Sequence, residues 1–163
     1  MKRISILFLL VSGIALAQDT PVEAIDATLN AWHKAASNAE FDTYFELMTP
    51  DAIFAGTDAT EHWDIPAFKA YAKPHFDKGK AWSFTSVKRN IYFNEGQDFA
   101  WFNELLDTQM KLCRGSGVLR KTNKGWKIAH YVLSIAVPNK HVGELIAIKK
   151  DSDNSILEEL SKN

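Results

Sequence analysis

The segment 57–63, TDATEHW, concentrates two carboxylates, an imidazole and an indole directly after a short apolar stretch. Carboxylate and imidazole groups exchange protons when they line a pocket, and imidazole does so near neutral pH. A threonine–aspartate pair is equally suited to hydrogen-bond the backbone of a turn. The segment therefore predicts a pocket rim. Asp58 or His62 is a candidate base there, with Asp58 as a turn residue in the alternative, and His62 and Trp63 are predicted to contact a ligand.

A second candidate, Glu104, interrupts an apolar strand in the second half of the chain. Strand alternation places it on the same face as Phe102, which is a predicted ligand contact. If that face lines a cavity, desolvation would raise the pKa of Glu104 and suit the carboxyl group to acid–base catalysis. The alternative is an ion pair with Arg114 or Arg120 on the neighbouring strand. Arg114 is also a candidate ligand contact.

The third candidate is His130, in the last predicted strand. Simple alternation places His130 on the face of Trp126 and Ile128, and Tyr131 on the opposite face. His130 is either a proton carrier near neutral pH or a hydrogen-bonded histidine at the core or at a dimer face. With Glu104 and Asp58, it completes the set of predicted catalytic residues.

Patterns for a metal ion or a nucleotide are missing from the sequence. No histidine pair is spaced as HxxxH or HxH, and Cys113 is the single cysteine, predicted to be a small buried residue. The sequence has no phosphate-binding loop and no nucleophile elbow. We expect no metal, no cofactor and no nucleic-acid partner, because the formal net charge is −1 and no basic stripe is present.

Residues 1–17 have the composition of a secretory signal peptide. Lys2 and Arg3 precede an apolar run over residues 4–16, and a small-x-small motif ends at Ala17. The run is short for a membrane span, although an N-terminal anchor is the alternative. We expect cleavage after Ala17 and an exported protein, periplasmic or secreted, without membrane attachment.

The rest of the chain predicts helices first and strands afterwards, which favours an α+β domain over 18–138. The composition, 46% hydrophobic and 24% charged, is that of a globular protein. Apolar spacing predicts helices over 23–38, 42–48 and 65–76 and strands over 52–55, 82–93, 98–110, 112–121 and 126–137. Turn signals between the long strands indicate an antiparallel meander, with Gly115 and Gly117 as candidate bend points. A polar tail, 139–163, is predicted to be helical in part, with a break at 151–155.

Several of these segments together resemble the SnoaL-like branch of the nuclear transport factor 2-like superfamily. The matching motifs are DAIFAGTD (51–58) with Glu61 and Trp63, DFAWF (98–102), SGVLR (116–120) and GWKIAH (125–130). The resemblance spans about residues 22 to 138. It implies a cone-shaped, curved antiparallel sheet wrapped over three N-terminal helices, a cystatin-like roll, with a cavity at its open end. It also implies a homodimer formed through the outer sheet face.

Members of this family include isomerases, dehydratases, cyclases and proteins that only bind, so the fold leaves the function open. Three hypotheses follow: an exported protein that binds a small apolar or amphipathic molecule, a cofactor-free isomerase or lyase, and a dimeric interaction module. Trp32, Tyr44 and Phe54 are predicted apolar walls of the cavity. In the ketosteroid isomerase branch, a tyrosine in the first helix helps to hold the oxyanion. The corresponding position here lies near Trp32, which weighs against that reaction.

Overall fold

The structure is a computed structural model that describes residues 20–162. The predicted signal peptide and its cleavage site lie outside these residues. The described chain forms four α-helices and six strands. Their bounds are α1 (Pro21–Ser37), α2 (Phe41–Glu46), β1 (Met48–Ala55), β2 (His62–Asp64), α3 (Ile65–Phe76), β3 (Phe84–Phe93), β4 (Phe99–Thr108), β5 (Lys111–Thr122), β6 (Gly125–Ile135) and α4 (Val142–Leu160).

Local side-chain contacts fix the starts of α1 and α3. The backbone N–H of Glu23 donates to the Thr20 hydroxyl at 3.3 Å, and the Glu23 carboxylate accepts from the Thr20 N–H at 2.8 Å. Pro21 occupies the first turn, where no backbone donor is needed. Asp64 caps α3 by accepting from the Ala67 N–H at 2.9 Å. The predicted start of α3 at residue 65 is confirmed, whereas α1 begins at Pro21, two residues before its predicted start.

The six strands form one curved sheet in the order β2-β1-β6-β5-β4-β3. The predicted antiparallel meander is confirmed for β3 to β6, but β1 pairs with β6 in parallel. The sheet is therefore mixed, because β6, the last strand of the meander, lies beside β1. The concave face packs on α1 to α3, and the completely buried Ile25, Leu29 and Trp32 of α1 lie in the core. This is the predicted α+β architecture.

A β-bulge in β6 reverses which side chains face the core. Val118 pairs with His130, whereas the next residue, Leu119, pairs with Ile128, so that Ala129 is an extra residue. Tyr131 is completely buried and His130 is only half-buried. The prediction that Tyr131 faces away from the core is therefore wrong, as is the prediction that His130 shares the face of Ile128.

The two glycines predicted as bend points serve a different purpose. Both lie in β5, where a Cβ would collide with β6: at Gly115 with the Tyr131 hydroxyl, and at Gly117 with the His130 carbonyl oxygen. Gly117 thus leaves room for the backbone of the bulge, and Gly115 leaves room for the tyrosine that the bulge turns inward.

The structure also corrects several predicted element ends. β1 begins at Met48, four residues earlier than predicted, β2 is additional, and α2 ends at Glu46. α4 is continuous through the predicted break at 151–155, where Lys149 Nζ lies 2.8 Å from Asp153 Oδ2, one helical turn away. None of the helices within residues 20–162 is both long and apolar enough to span a membrane.

Candidate functional site

Glu104 is the centre of a buried polar network between α1 and the sheet. Its Oε1 accepts hydrogen bonds from His33 Nε2 at 2.8 Å and from the Tyr131 hydroxyl at 3.0 Å. Its Oε2 accepts from Arg89 Nε at 2.9 Å and from Arg89 Nη2 at 2.7 Å. The side chain of Glu104 is 0% exposed. A carboxylate has about four lone-pair sites, so all of its acceptor capacity is used by protein groups.

The network keeps Glu104 ionised. Burial alone would raise its pKa, but the hydrogen bond and the charge of His33, together with Arg89, outweigh burial and lower the pKa to about 2. The prediction of a raised pKa for Glu104 is therefore wrong, because opposite charges dominate over desolvation. Tyr131 remains a protonated donor, since burial and the adjacent carboxylate raise its pKa well above the ordinary value.

The ion-pair partner of Glu104 differs from both arginines that the sequence suggested. Arg89 lies directly opposite Glu104 in the register of β3 and β4, and its side chain is 5% exposed. Arg120 instead pairs with Asp51, and Arg114 is exposed on β5. The alternative that Glu104 pairs with Arg114 or Arg120 is wrong, because the register brings the arginine from the strand on the other side of β4.

Arg89 also ties the sheet to α1. Its Nη1 donates to the Asn30 side-chain oxygen at 3.0 Å and to the Asp26 backbone oxygen at 3.3 Å, and it forms an ion pair with the Asp26 carboxylate. Asp26, Asn30 and His33 are spaced four and three residues apart, so they lie on one face of α1. The network therefore holds the first helix against strands β3, β4 and β6.

A separate cavity of about 150 Å³ lies near the ends of β1 and β6 and the turn between β4 and β5. Aromatic rings form most of its wall, and polar groups lie at its rim. The wall residues are Phe54, Trp63, Phe68, Tyr71, Trp82, Phe84, Met110 and Leu133, and the polar side chains are Thr57, Glu61 and Gln109. The cavity lining contains none of the groups that bond to Glu104.

The predicted rim segment is placed at this opening. Trp63 and Phe54 line the cavity, whereas His62 is exposed on β2 and Asp58 is exposed in the preceding turn. The Asp58 carboxylate accepts hydrogen bonds from Thr60, and these lower its pKa. Asp58 was predicted to be either a base or a turn residue, and this geometry is that of a turn residue.

The other predicted ligand contacts lie behind or outside the cavity wall. Trp32 and Tyr44 are completely buried, with ring centroids 4.8 Å apart, and form a layer beneath the wall. Phe102 is buried on β4, and its ring centroid lies 6.0 Å from that of Tyr131. Arg114 is outside the cavity lining. The indole N–H of Trp32 and the hydroxyl of Tyr44 have no hydrogen-bond partner among the described residues.

Sequence reasoning missed several residues of both sites. His33, Arg89 and Tyr131 were not among the candidates, nor was the wall residue Trp82. The position of His33, one residue after Trp32 in a helix with a buried face, was the available signal for a buried histidine. The positions of Arg89 and Tyr131 beside Glu104 depend on the strand register and on the bulge in β6, and the sequence pattern predicts neither.

The described residues contain no group of three or more histidine, cysteine, aspartate or glutamate side chains that could hold a metal ion. Cys113 is buried on β5, and the described chain offers it no disulfide partner.

Comparisons with known proteins identify the domain. The model of the SnoaL-like domain matches residues 25–138. A candidate dehydratase of the NTF2-like family from Streptomyces avermitilis is 15% identical, with a TM-score of 0.62 over 72% of this chain and 96% of that chain. A candidate aromatic ring hydroxylase from Novosphingobium aromaticivorans is 19% identical, with a TM-score of 0.61 over 74% and 94%.

A third structure, an NTF2-like protein from Cytophaga hutchinsonii, is 13% identical, with a TM-score of 0.60 over 72% of this chain and 100% of that chain. At these identities the likeness shows the fold alone. Among curated proteins, none matches this chain. Because the family model covers more than half of the sequence, the chain belongs to the SnoaL-like domain family.

Proposed function

We propose that the protein binds a small, flat, apolar or amphipathic molecule in the cavity at the open end of the sheet. The observation that carries this proposal is the alignment of the aromatic wall. The ring of Phe68 lies within 9° of the plane of Trp63 and within 18° of the plane of Trp82. Nearly parallel rings around a void favour a planar ligand that stacks against them.

The size and rim of the cavity narrow the class of ligand. An apolar cavity of about 150 Å³ accommodates benzene, so the volume suits one ring and not a drug-sized molecule. Thr57, Glu61 and Gln109 supply polar groups at the rim. A ligand with one aromatic ring and one hydroxyl group fits both the apolar volume and the polar rim. One structural neighbour carries the name of an aromatic ring hydroxylase, which is compatible with such a ligand.

The acid–base alternative has less support from the geometry. Glu104 would have to give up one of four hydrogen bonds before it could accept a proton, and its pKa of about 2 makes it a weak base. Glu61 and Tyr71 are the titratable residues of the cavity lining. We therefore assign the Glu104 network to stabilising the fold and the cavity to binding.

Filling the cavity tests this proposal. Leu133 is buried in the cavity wall, and Leu133→Phe adds a ring where the ligand would lie. We expect phenol to quench the fluorescence of the wild-type protein with a dissociation constant of about 1 mM, and Leu133→Phe to weaken binding about tenfold or more. Leu112→Phe, at an exposed site on β5, is the matched control. Equal phenol affinity in wild type and Leu133→Phe would refute the proposal.

We also propose that two copies pair through the outer face of the sheet. Cross-strand pairing aligns Tyr92, Trp101, Val118, His130 and Ile53 in one row across five strands. Tyr92 and Trp101 are each 45% exposed, and their rings stack at 5.9 Å. A largely apolar row on an exposed face favours association, and in a dimer of this kind His130 would lie at the interface.

Export remains part of the proposed function, on the strength of the N-terminal sequence. The native mass of the protein purified from its own cells tests export and dimerisation together. We expect a chain that begins at Gln18 and a particle of twice the chain mass. A chain that retains residues 1–17 would contradict export, and a particle of one chain mass would contradict the dimer.

A further inference from the structure

A second concave site lies on the side of the domain, between α1 and the first half of β3. This groove has a volume of about 260 Å³. Apart from Phe84, the side chains that line it are polar, and they include Asn30, His33, Lys34 and Ser86. It differs in character from the aromatic cavity, although the ring of Phe84 borders both.

His33 presents one unused ring nitrogen at this groove. The residue is only 4% exposed, and its Nε2 lies 2.8 Å from Glu104. An ionised carboxylate only accepts hydrogen bonds, so Nε2 carries the proton. The other ring nitrogen, Nδ1, has no hydrogen-bond partner within residues 20–162. Glu104 fixes the orientation of the ring and therefore the direction of Nδ1.

Ser86 contributes an unused hydroxyl. The pairing of β3 with β4 shifts between Ser86 and Lys88, so that Val87 is an extra residue and Ser86 lies opposite Leu106 on the concave face. The hydroxyl oxygen of Ser86 is buried and has no partner in the described structure. Burying a hydroxyl without a hydrogen bond costs free energy. A ligand group that accepts a hydrogen bond from Ser86 would remove this cost.

Lys34 supplies the charge of the site. It is the residue after His33 on α1, it is exposed at the groove, and it forms no ion pair with any residue in 20–162. The Ser37 hydroxyl already donates to the Lys34 backbone oxygen at 2.9 Å, so it remains available only as an acceptor. The groove thus offers one ammonium group, one hydroxyl donor and one unpaired imidazole nitrogen.

We propose that this groove binds a small 2-hydroxycarboxylate. The carboxylate pairs with the Lys34 ammonium group and accepts a hydrogen bond from the Ser86 hydroxyl. The ligand hydroxyl, which can donate or accept, forms a hydrogen bond with Nδ1 of His33. The three unused groups are thereby satisfied by one molecule, and a carboxylate without a neighbouring hydroxyl leaves the imidazole unpaired. Binding here is separate from binding of a flat ring in the aromatic cavity.

Titration of the isotope-labelled protein with lactate tests the assignment by NMR. We expect amide shifts in residues 33–37 and 84–86, with a dissociation constant of about 1 mM, as is common for a ligand of few atoms. Propionate, which lacks the hydroxyl group, is expected to bind about fivefold more weakly. Leu133→Phe, which fills the aromatic cavity, should leave lactate binding unchanged.

Two variants outside the Glu104 network separate binding from folding. Ser86→Ala should weaken lactate binding about fivefold and leave the melting temperature equal or higher, because it removes an unpaired buried hydroxyl. Lys34→Met should weaken binding about tenfold, whereas Lys150→Met, at an exposed lysine of α4, should have no effect. Equal binding of lactate and propionate, an unchanged affinity in Lys34→Met, or shifts confined to other parts of the domain would overturn the proposal.

Discussion

Glu104→Gln is expected to destabilise the folded protein by about 3–5 kcal/mol at pH 7. The substitution preserves the shape of the side chain but removes its charge, and Arg89 would remain 5% exposed without a partner for that charge. The glutamine amide would also present hydrogen-bond donors to groups that are themselves donors. In a domain of this size, the melting temperature should fall by about 10 °C.

The difference between wild type and variant should depend on pH in a defined direction. The pKa of Glu104 is lowered from 4.5 to about 2 in the folded state. A group with a lowered folded-state pKa stabilises the fold above its unfolded pKa, and that stabilisation disappears as the pH falls through the folded value. Its stabilising effect, about 3 kcal/mol by this shift, should thus be complete above pH 4.5 and decline towards pH 2.

Urea unfolding at several pH values between 3 and 7 measures this effect. Glu159→Gln, at an exposed position of α4, is the matched control and should change stability by less than about 0.5 kcal/mol. A stability loss in Glu104→Gln as small as in this control, or one that stays constant from pH 7 to pH 3, would show that Glu104 does not stabilise the fold as an ionised group.

Gly117→Ala should have the second large effect, a loss of about 3 kcal/mol, at the upper end for overpacking. The added Cβ would collide with the His130 carbonyl oxygen, which is backbone and cannot rotate away. The strand pair must separate at the bulge. The Tyr131 hydroxyl would then be expected to lose its hydrogen bond with Glu104.

Gly143→Ala provides the comparison for this variant. Gly143 lies in α4, and a Cβ there has no atom within 4 Å, so alanine should stabilise the helix by up to about 1 kcal/mol. Urea unfolding of the two alanine variants side by side separates the steric effect from the general effect of replacing glycine. Similar stabilities of the two variants would contradict the proposed collision.

Some features set by residues close together in sequence were predicted, although the continuity of α4 was not. The starts of α1 and α3 follow from Thr20 with Glu23 and from Asp64, each within three residues of its partner. The burial of Glu104 follows from the regular alternation of β4, which has no irregularity between Phe99 and Thr108 in its pairing with β5. Local rules suffice where the strand is regular.

Features set by pairing between distant segments were not predictable in the same way. Arg89 lies opposite Glu104 because β3 gains one residue at Val87, and His33 reaches the same carboxylate from 71 positions away. The pKa of Glu104 depends on these distant charges, so burial alone gave the wrong direction. The aromatic wall likewise combines residues of β1, β2, α3 and the start of β3, and the rim segment 57–63 was the part of it that the sequence indicated.

The extra residue in β6 changes, partway along the strand, which side chains face the core. Before Ala129, even-numbered side chains enter the core, and after it odd-numbered side chains do. Each part of the strand therefore alternates regularly, but the strand as a whole does not. A relative without the extra residue would alternate regularly from Ile128 onward, and its phenol would still face the buried carboxylate. If Ala129 instead took a regular place in the ladder, the imidazole of His130 would face Glu104 and the phenol would turn outward, so the bulge sets which functional group faces Glu104 from β6.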